Sequence, residues 1–570
     1  MNSPQDTRLR TSQSPRATMI AAILICVVAL IPFFALFLLA FGDSRDVWLH
    51  LVTNVLPRSL STTLILIAGV GILSSAMGVG AAWLVSRYEF TGRRTLQWAL
   101  VLPLAVPTYI SAYCFTELMD FTGPAQTFVR FLGGYTSPAD YWFPDIRSLG
   151  GAIFIMSIVL YPYVYLTSRI VFEMQASSIL EASRVLGAGA WRMFFRIGLP
   201  LARPAIAAGA MLAILEALND IGAVEILGVQ TLTFSIFDTW LNRSSLAGAA
   251  QIAWLMLIVV AIVIAMERRG RGGRLYEYKQ SGASTLTRVQ AKPFHSAAFC
   301  LLCLAPVIVG FIVPAGLLFN FALRRTEQFS DPELLSAAAN SITVSLSAAI
   351  VTVLAAFMLI TMTRRHRGKL TRFLARLAAL GYAVPGSVLA IGSLYAFTTL
   401  DNWVDASMRS LFGISTGLLV SGSAAIIVYA CSVRFLAVAF GSLEAGYSRI
   451  SSHMPMAART LGRSANQAMI AIELPLMKKA ILTALLLVFV ETMKELSATV
   501  LLRPFNFSTL ATYIYERASL ARFEDAAIAA LAIVAIGLVP LLVLNRIQSA
   551  VPVNRTRPEQ KNAGTGPALS

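Results

Sequence analysis

Charge is scarce in this chain. Only 13% of its 570 residues are Asp, Glu, Lys or Arg, while 57% are hydrophobic and the mean hydropathy is +0.70. An ordinary soluble domain carries about a quarter charged residues, so the deficit excludes a disordered chain and argues against a string of cytosolic domains. Histidine is scarcer still: His50, His295, His366 and His453 stand alone, and no histidine cluster for metal catalysis is visible. Cysteine appears five times, as Cys26, Cys114, Cys300, Cys303 and Cys431, always inside apolar sequence. Cys300 and Cys303 are one helical turn apart with no second pair at zinc spacing, which reads as packing rather than metal binding or redox chemistry. A phosphate-binding loop is missing too. It needs GxxxxGK[ST], so that backbone amides and a lysine hold the phosphates. The only Gly-Lys pair, Gly368-Lys369, is followed by Leu370 and has Thr363 where the first glycine belongs.

What the chain does have is apolar sequence in long runs. A transmembrane helix needs about 20 largely apolar residues to cross about 30 Å of hydrocarbon. Twelve stretches approach or exceed that: 17–42, 59–86, 96–116, 149–167, 204–227, 246–266, 294–323, 339–363, 377–399, 417–439, 480–502 and 526–544. The first run is too long for a signal-peptide core and lacks a small-residue cleavage site, so it reads as a retained span. The expectation is an all-α polytopic membrane protein of about twelve transmembrane helices. Two six-span halves, 17–266 and 294–545, flank a cytoplasmic linker at 267–293, with polar tails at 1–16 and 546–570.

The surplus of 46 Lys and Arg over 29 Asp and Glu, a formal +17, taken alone suits nucleic acid. Its distribution says otherwise. With the N-terminus inside, cytoplasmic segments hold 33 basic and 9 acidic residues, and outer segments hold 11 and 15. That is the bias by which Lys and Arg resist translocation. The clusters Arg268-Arg269-Gly270-Arg271 and Arg364-Arg365-His366-Arg367 read as anchors beside anionic headgroups. The expected setting is the inner (plasma) membrane, with both termini cytoplasmic and a lipid bilayer rather than nucleic acid as surroundings.

The chain repeats itself. After the fourth span comes Glu181-Ala182-Ser183-Arg184-Val185-Leu186-Gly187, then Ile197-Gly198-Leu199-Pro200. After the tenth comes Met456-Ala457-Ala458-Arg459-Thr460-Leu461-Gly462, then Ile472-Glu473-Leu474-Pro475, at an offset of 275 residues. The offset continues to Glu216 with Glu491 and Asp220 with Glu495, and upstream Ala105-Val106-Pro107 matches Ala383-Val384-Pro385. Pro107 and Pro385 fall inside the third span of each half and are expected to kink it. Halves with an even number of spans share one orientation and should pack about an axis along the membrane normal, with a pathway between them.

The repeated pattern, Glu-Ala-Ala, three residues, Gly, nine residues, Ile-x-Leu-Pro, resembles the loop of binding-protein-dependent ABC transporter permeases. The first copy departs at Ser183 and the second has Met456 where the family has Glu. The resemblance implies a MetI-like fold, with permease cores at about 58–266 and 338–545. It also implies two docking sites for a cytoplasmic dimer of ABC ATPase subunits, through Glu181, Ala182, Gly187 and Pro200 in one half and Ala457, Gly462 and Pro475 in the other. ATP and Mg would then sit on that partner, with no cofactor bound by this chain and no catalysis of its own. A solute-binding protein at the outer face would deliver the cargo. Residues 491–499, 501–507 and 509–512, with 218–224 in the first half, further resemble the fused, double-length permeases of the ferric-iron type. Relatives of the same build carry thiamine, phosphonates, sulfate or polyamines.

Ionisable groups inside spans are costly and usually face a cavity or one another. Glu216 and Asp220 are four residues apart, as are Glu491 and Glu495, which would place each pair on one helix face, and Lys494 adjoins the second pair. One reading is a polar network that holds the halves together. The other is a solute path that favours a cationic or metal-bearing cargo, since ferric iron prefers oxygen ligands. A twelve-span secondary transporter, coupled to ions through these carboxylates, is the alternative from another class. It gives the duplicated loop no role.

Overall fold

In hydrocarbon every backbone N–H and C=O must be satisfied within the chain, and the helix does this locally. The computed structural model describes residues 14–174, 183, 187, 189–271, 288–365, 368–448, 450–451 and 453–549, and they are overwhelmingly helical. The first half contains α1 (Ser14–Ala40), α2 (Leu56–Arg87), α3 (Arg93–Ala99), α4 (Thr108–Met119), α5 (Pro124–Gly133) and α6 (Leu149–Met174). It continues with α7 (Leu199–Asn219), α8 (Gly222–Ile226), α9 (Leu232–Leu241) and α10 (Leu246–Arg271). The second half contains α11 (Pro293–Val307), α12 (Val313–Arg324), α13 (Pro332–Arg365), α14 (Lys369–Ala378), α15 (Gly386–Phe412) and α16 (Ala425–Tyr447). It ends with α17 (Leu474–Met493), α18 (Thr499–Leu502), α19 (Leu510–Ser519) and α20 (Ala527–Ser549).

The repeat read from the sequence is visible in the packing. In the first half α6 packs against both α2 and α7, and in the second α16 packs against both α13 and α17. Even single hydrogen bonds recur. The Leu232 N–H donates to Thr63 Oγ1 at 2.9 Å, and the Leu510 N–H donates to Ser341 Oγ at 2.7 Å, tying the start of α9 to α2 and of α19 to α13.

The first helix of each half crosses onto the other half. α1 packs chiefly on α15, while α11 and α12 lie against α2, α3 and α4. Gly392 permits the closest approach: a Cβ there would stand 2.1 Å from the Pro32 carbonyl oxygen of α1. The crossing buries apolar residues of both halves in common clusters and makes the chain one interlocked body.

The chain is an all-α polytopic membrane protein, but its spans differ from the twelve expected. Among the described residues nine helices are long and apolar enough to cross a membrane, and two bent pairs raise the number to eleven if each pair is one span. The bent pairs are the third and ninth predicted spans, and they are broken rather than kinked. The chain turns by 90° between 93–105 and 108–133, and by 110° between 369–383 and 386–412. Val106 (φ −94°, ψ 112°) and Val384 (φ −98°, ψ 130°) are extended, as the residue before a proline is driven to be. Pro107 and Pro385 then stand at the N-cap of a new helix.

Three other boundaries move. The fifth and eleventh spans end at Asn219 and Met493 instead of running to 227 and 502. α17 is not among the nine, because Lys478, Lys479 and Glu491 fall within its 20 residues. The tenth begins at Ala425 instead of 417. Asp401 holds the Val420 and Ser421 amides, and Asp405 holds those of Thr416 and Gly417, so this apolar stretch is an anchored loop.

Candidate functional site

The ends of α7 and α17 are built alike. Asp220 follows the last residue of α7 in an extended conformation (φ −79°, ψ 106°), and its Oδ1 accepts the Ala223 N–H at 2.9 Å. Glu495 stands two residues beyond α17, and its Oε1 accepts the Ala498 N–H at 2.9 Å. A carboxylate that takes an amide three residues on acts as a helix N-cap does, and it opens a new short helix in place of the old one. The two acids therefore lie past the helix ends. The expectation that Glu216 shares a helix face with Asp220, and Glu491 with Glu495, is corrected on this ground.

Both turns meet the breaks of the two bent pairs. Thr108, the first residue of α4, donates its hydroxyl to Asp220 Oδ2. The Gly386 N–H, at the start of α15, donates to Asn219 Oδ1 at 2.6 Å, and Ser497 Oγ donates to the Asn219 carbonyl at 2.6 Å. Asn219 thus joins α7 to both α15 and the turn after α17. Tyr382, on the other side of the Pro385 break, donates its hydroxyl to Glu216 Oε1 at 2.8 Å. Lys494 Nζ is 2.9 Å from Glu491 Oε1.

Of these groups, Thr108, Asn219 and Ser497 with the charged residues line one cavity of about 80 Å³ between the halves. Its lining includes all five residues proposed for a pathway, Glu216, Asp220, Glu491, Lys494 and Glu495, together with Pro107. Pro385 is not part of the lining; its neighbour Gly386 reaches it only through the hydrogen bond to Asn219. Four carboxylates face two cations there, Lys494 and Arg434. Each carboxylate is held by its own partner, and among the described residues no three His, Cys, Asp or Glu side chains are placed to grip a metal ion. Such a lining offers separate single contacts rather than a chelate.

Arg434 is the residue that sequence reasoning left without a role. It projects from α16, is 5% exposed in its side chain, and pairs with Glu495, which is equally buried. A buried ion pair keeps its place only where the geometry is good and the remaining polar groups are partly satisfied. The signal that finds Arg434 is its standing as one of two basic residues inside the predicted spans, the other being Lys494. Thr108, Asn219 and Tyr382 carried no comparable signal.

The repeated loops stand apart from the cavity, beyond the opposite ends of α7 and α17. Glu181 and Ala182 lie outside the described residues. Gly187 and Gly462 are exposed and have left-handed backbones, φ +78° and +85°, where a glycine turn is least strained. In the second copy a short helix, His453–Thr460, precedes Gly462, and Ala465–Ala468 follows it. Each copy then widens into one π-helical turn, Phe194–Gly198 or Met469–Glu473, before Leu-Pro opens the long helix. Pro200 is half-buried, while Ala457 and Pro475 are exposed, and Trp191, Met456, Leu461 and Ile470 add exposed apolar surface nearby.

The chain is similar in sequence to known transport proteins. Residues 74–269 match the family described as binding-protein-dependent transport system inner membrane component. The Fe(3+)-transport system permease protein FbpB 2 of Haemophilus influenzae is 27% identical over 496 residues, covering 85% of this chain and 89% of its own. The ferric transport system permease protein FbpB of Actinobacillus pleuropneumoniae is 24% identical over 534 residues, covering 87% and 73%. The sulfate transport system permease protein CysT of Escherichia coli is 28% identical over 201 residues, covering 35% and 69%.

Proposed function

This chain belongs to the permeases of binding-protein-dependent ABC importers, and on that premise we propose that its two halves form the route by which ferric iron crosses the inner membrane. The observation that carries the reading is the convergence of Glu216, Asp220, Glu491, Lys494 and Glu495, from both halves, on one cavity where two proline-broken helices turn. A surplus of carboxylate oxygens is the lining that a hard trivalent cation favours. The relatives that match along most of the chain carry ferric iron in their names, whereas the sulfate permease matches over about a third of it.

ATP is hydrolysed elsewhere. A dimer of ABC ATPase subunits, with ATP and Mg, docks on the exposed turns around Gly187 and Gly462, through Glu181, Ala182, Ala457, Pro200 and Pro475. Closure of that dimer pushes on α7 and α17, whose far ends carry the cavity carboxylates. Both termini are cytoplasmic, as the basic bias requires, and a solute-binding protein loads the cargo from the opposite face.

Reconstitution with the ATPase and an iron-loaded binding protein tests this. Uptake of labelled iron is expected to need ATP, and to fall at least about ten-fold in a Glu216→Gln, Glu491→Gln chain that still co-purifies with the ATPase. Full uptake in that variant would return the two carboxylates to a purely structural role. Uptake that survives ATP depletion while a proton gradient remains would favour the ion-coupled carrier. ATP-driven uptake of thiamine, phosphonate, sulfate or polyamine in place of iron would move the chain to another branch of the same importers.

A further inference from the structure

Tyr109, Tyr113 and Thr116 of α4 are 3%, 0% and 2% exposed, and among the described residues none of their hydroxyls has a hydrogen-bond partner. They stand at i, i+4 and i+7, one face of the helix, over about 10 Å of its length. A buried hydroxyl without a partner costs about 1–3 kcal/mol, so three on one face make a costly way to fill a core. The face has two distinct ends. Tyr109 lines the central cavity. The Tyr113 ring lies 5.0 Å from that of Phe523, next to Glu524 and Asp525, which pair with Arg325 on the surface at 3.0 and 3.8 Å. The ladder therefore leads from the cavity to a charged end of the molecule, which the charge bias assigns to the outside.

The internal repeat supplies a control. At the offset that relates Pro107 to Pro385, the matching positions on α15 are Ser387, Ile391 and Leu394. Only the first is polar, and its buried hydroxyl is likewise without a partner among the described residues; beyond it the second half fills the equivalent face with apolar side chains. Another row of unpartnered buried hydroxyls, Ser157, Tyr161 and Ser168 on α6, does not line the cavity.

We propose that the outer leg of the solute route runs along this face of α4, off the axis that relates the halves. Tyr109, Tyr113 and Thr116 are its wall, closed in this conformation and wetted when the route opens outward. Neutral hydroxyl oxygens hydrate a passing cation without trapping it, which suits a leg that feeds a carboxylate-lined cavity. The proposal rests on the permease reading above.

The test is cysteine accessibility in the whole transporter with its ATPase, in a chain whose five native cysteines are replaced by alanine. Tyr113→Cys and Thr116→Cys are expected to react with a charged methanethiosulfonate at least about ten-fold faster in one nucleotide state than in the other. Ile391→Cys and Leu394→Cys are expected to stay slow in both. Thr116→Cys, the smaller change, carries the test if Tyr113→Cys does not assemble. Equal rates in the two states, or equal opening on α15, would overturn the off-axis route. A complex that hydrolyses ATP but carries no iron would instead count against the functional reading, and the accessibility of α4 would still be read on its own.

Discussion

The two copies of the central turn have the same backbone task and meet it with different chemistry. In the first half Asp220 takes a hydroxyl from Thr108 and an amide from Ala223. In the second, glycine stands where threonine was, the acid is one methylene longer, and Arg434 fills the space. The exchange is concerted, because a Cβ on Gly386 would come within 2.8 Å of Glu495 Oε1 and 2.9 Å of Arg434 Nη1. At the position 275 residues before Arg434 the first half has Val159, which also lines the cavity. Duplicated halves thus keep what the shared backbone needs, an acceptor for the next short helix, and diverge in what faces the cavity. On the permease reading, that divergence gives the cargo two different walls, where two identical walls would offer it the same contact twice.

The turns proposed to dock the ATPase are where the halves should behave alike, and there the largest effect is expected. Gly187→Asp and Gly462→Asp should each bring ATP-driven uptake to background while the chain still inserts and its ATPase partner still hydrolyses ATP. Among the described residues no atom lies within 4 Å of a Cβ added at either glycine, and the left-handed backbone penalises Asp by only about 1–2 kcal/mol, so a loss of uptake would point to the proposed docking. Retained uptake in Gly462→Asp alone would extend the asymmetry of the halves to the ATPase contact, where Met456 already departs from Glu.

At the cavity the halves should differ. Arg434→Met leaves Glu495 buried with only the Ala498 amide, and stranding one member of a buried pair costs about 3–5 kcal/mol. Thermal unfolding of the purified chain in detergent should show that loss, and Glu495→Gln in the same chain should recover part of it by removing the stranded charge. No recovery would mean that Arg434 acts through packing alone.

Much of this arrangement was legible from residue spacing, because membrane helices announce themselves by length and a duplicated loop announces itself twice. What the spacing could not show was where helices stop. The run 204–227 is mostly apolar beyond Asn219, with Asp220 and Glu225 as exceptions, yet the chain turns at Asp220, because a side-chain carboxylate competes for backbone amides that hydropathy does not weigh. Pro107 and Pro385 were visible as disruptions, but a 90° or 110° turn depends on the preceding valine going extended and on neighbouring helices receiving the new direction. Arg434 lies 61 residues from Glu495, so no local pattern links them. The crossing of α1 onto the opposite half is likewise a matter of packing between distant segments.

The smallest effect is expected at Thr108, and it bears most directly on why the halves diverged. Thr108→Val keeps the shape and removes one donor, leaving Asp220 with the Ala223 amide. A hydrogen bond to a charged acceptor is worth about 1.5–3 kcal/mol, less than the pair at Arg434, so the chain should still fold and assemble. Iron uptake should fall more than stability does, because Asp220 is then free to follow the cation or to rotate away from the cavity. Equal losses in both halves, with Thr108→Val as damaging as Arg434→Met, would mean that hydroxyl and guanidinium are interchangeable ways of fixing an acid. A smaller loss of stability beside a clear loss of uptake would mean that the first-half acid is held loosely because it must move.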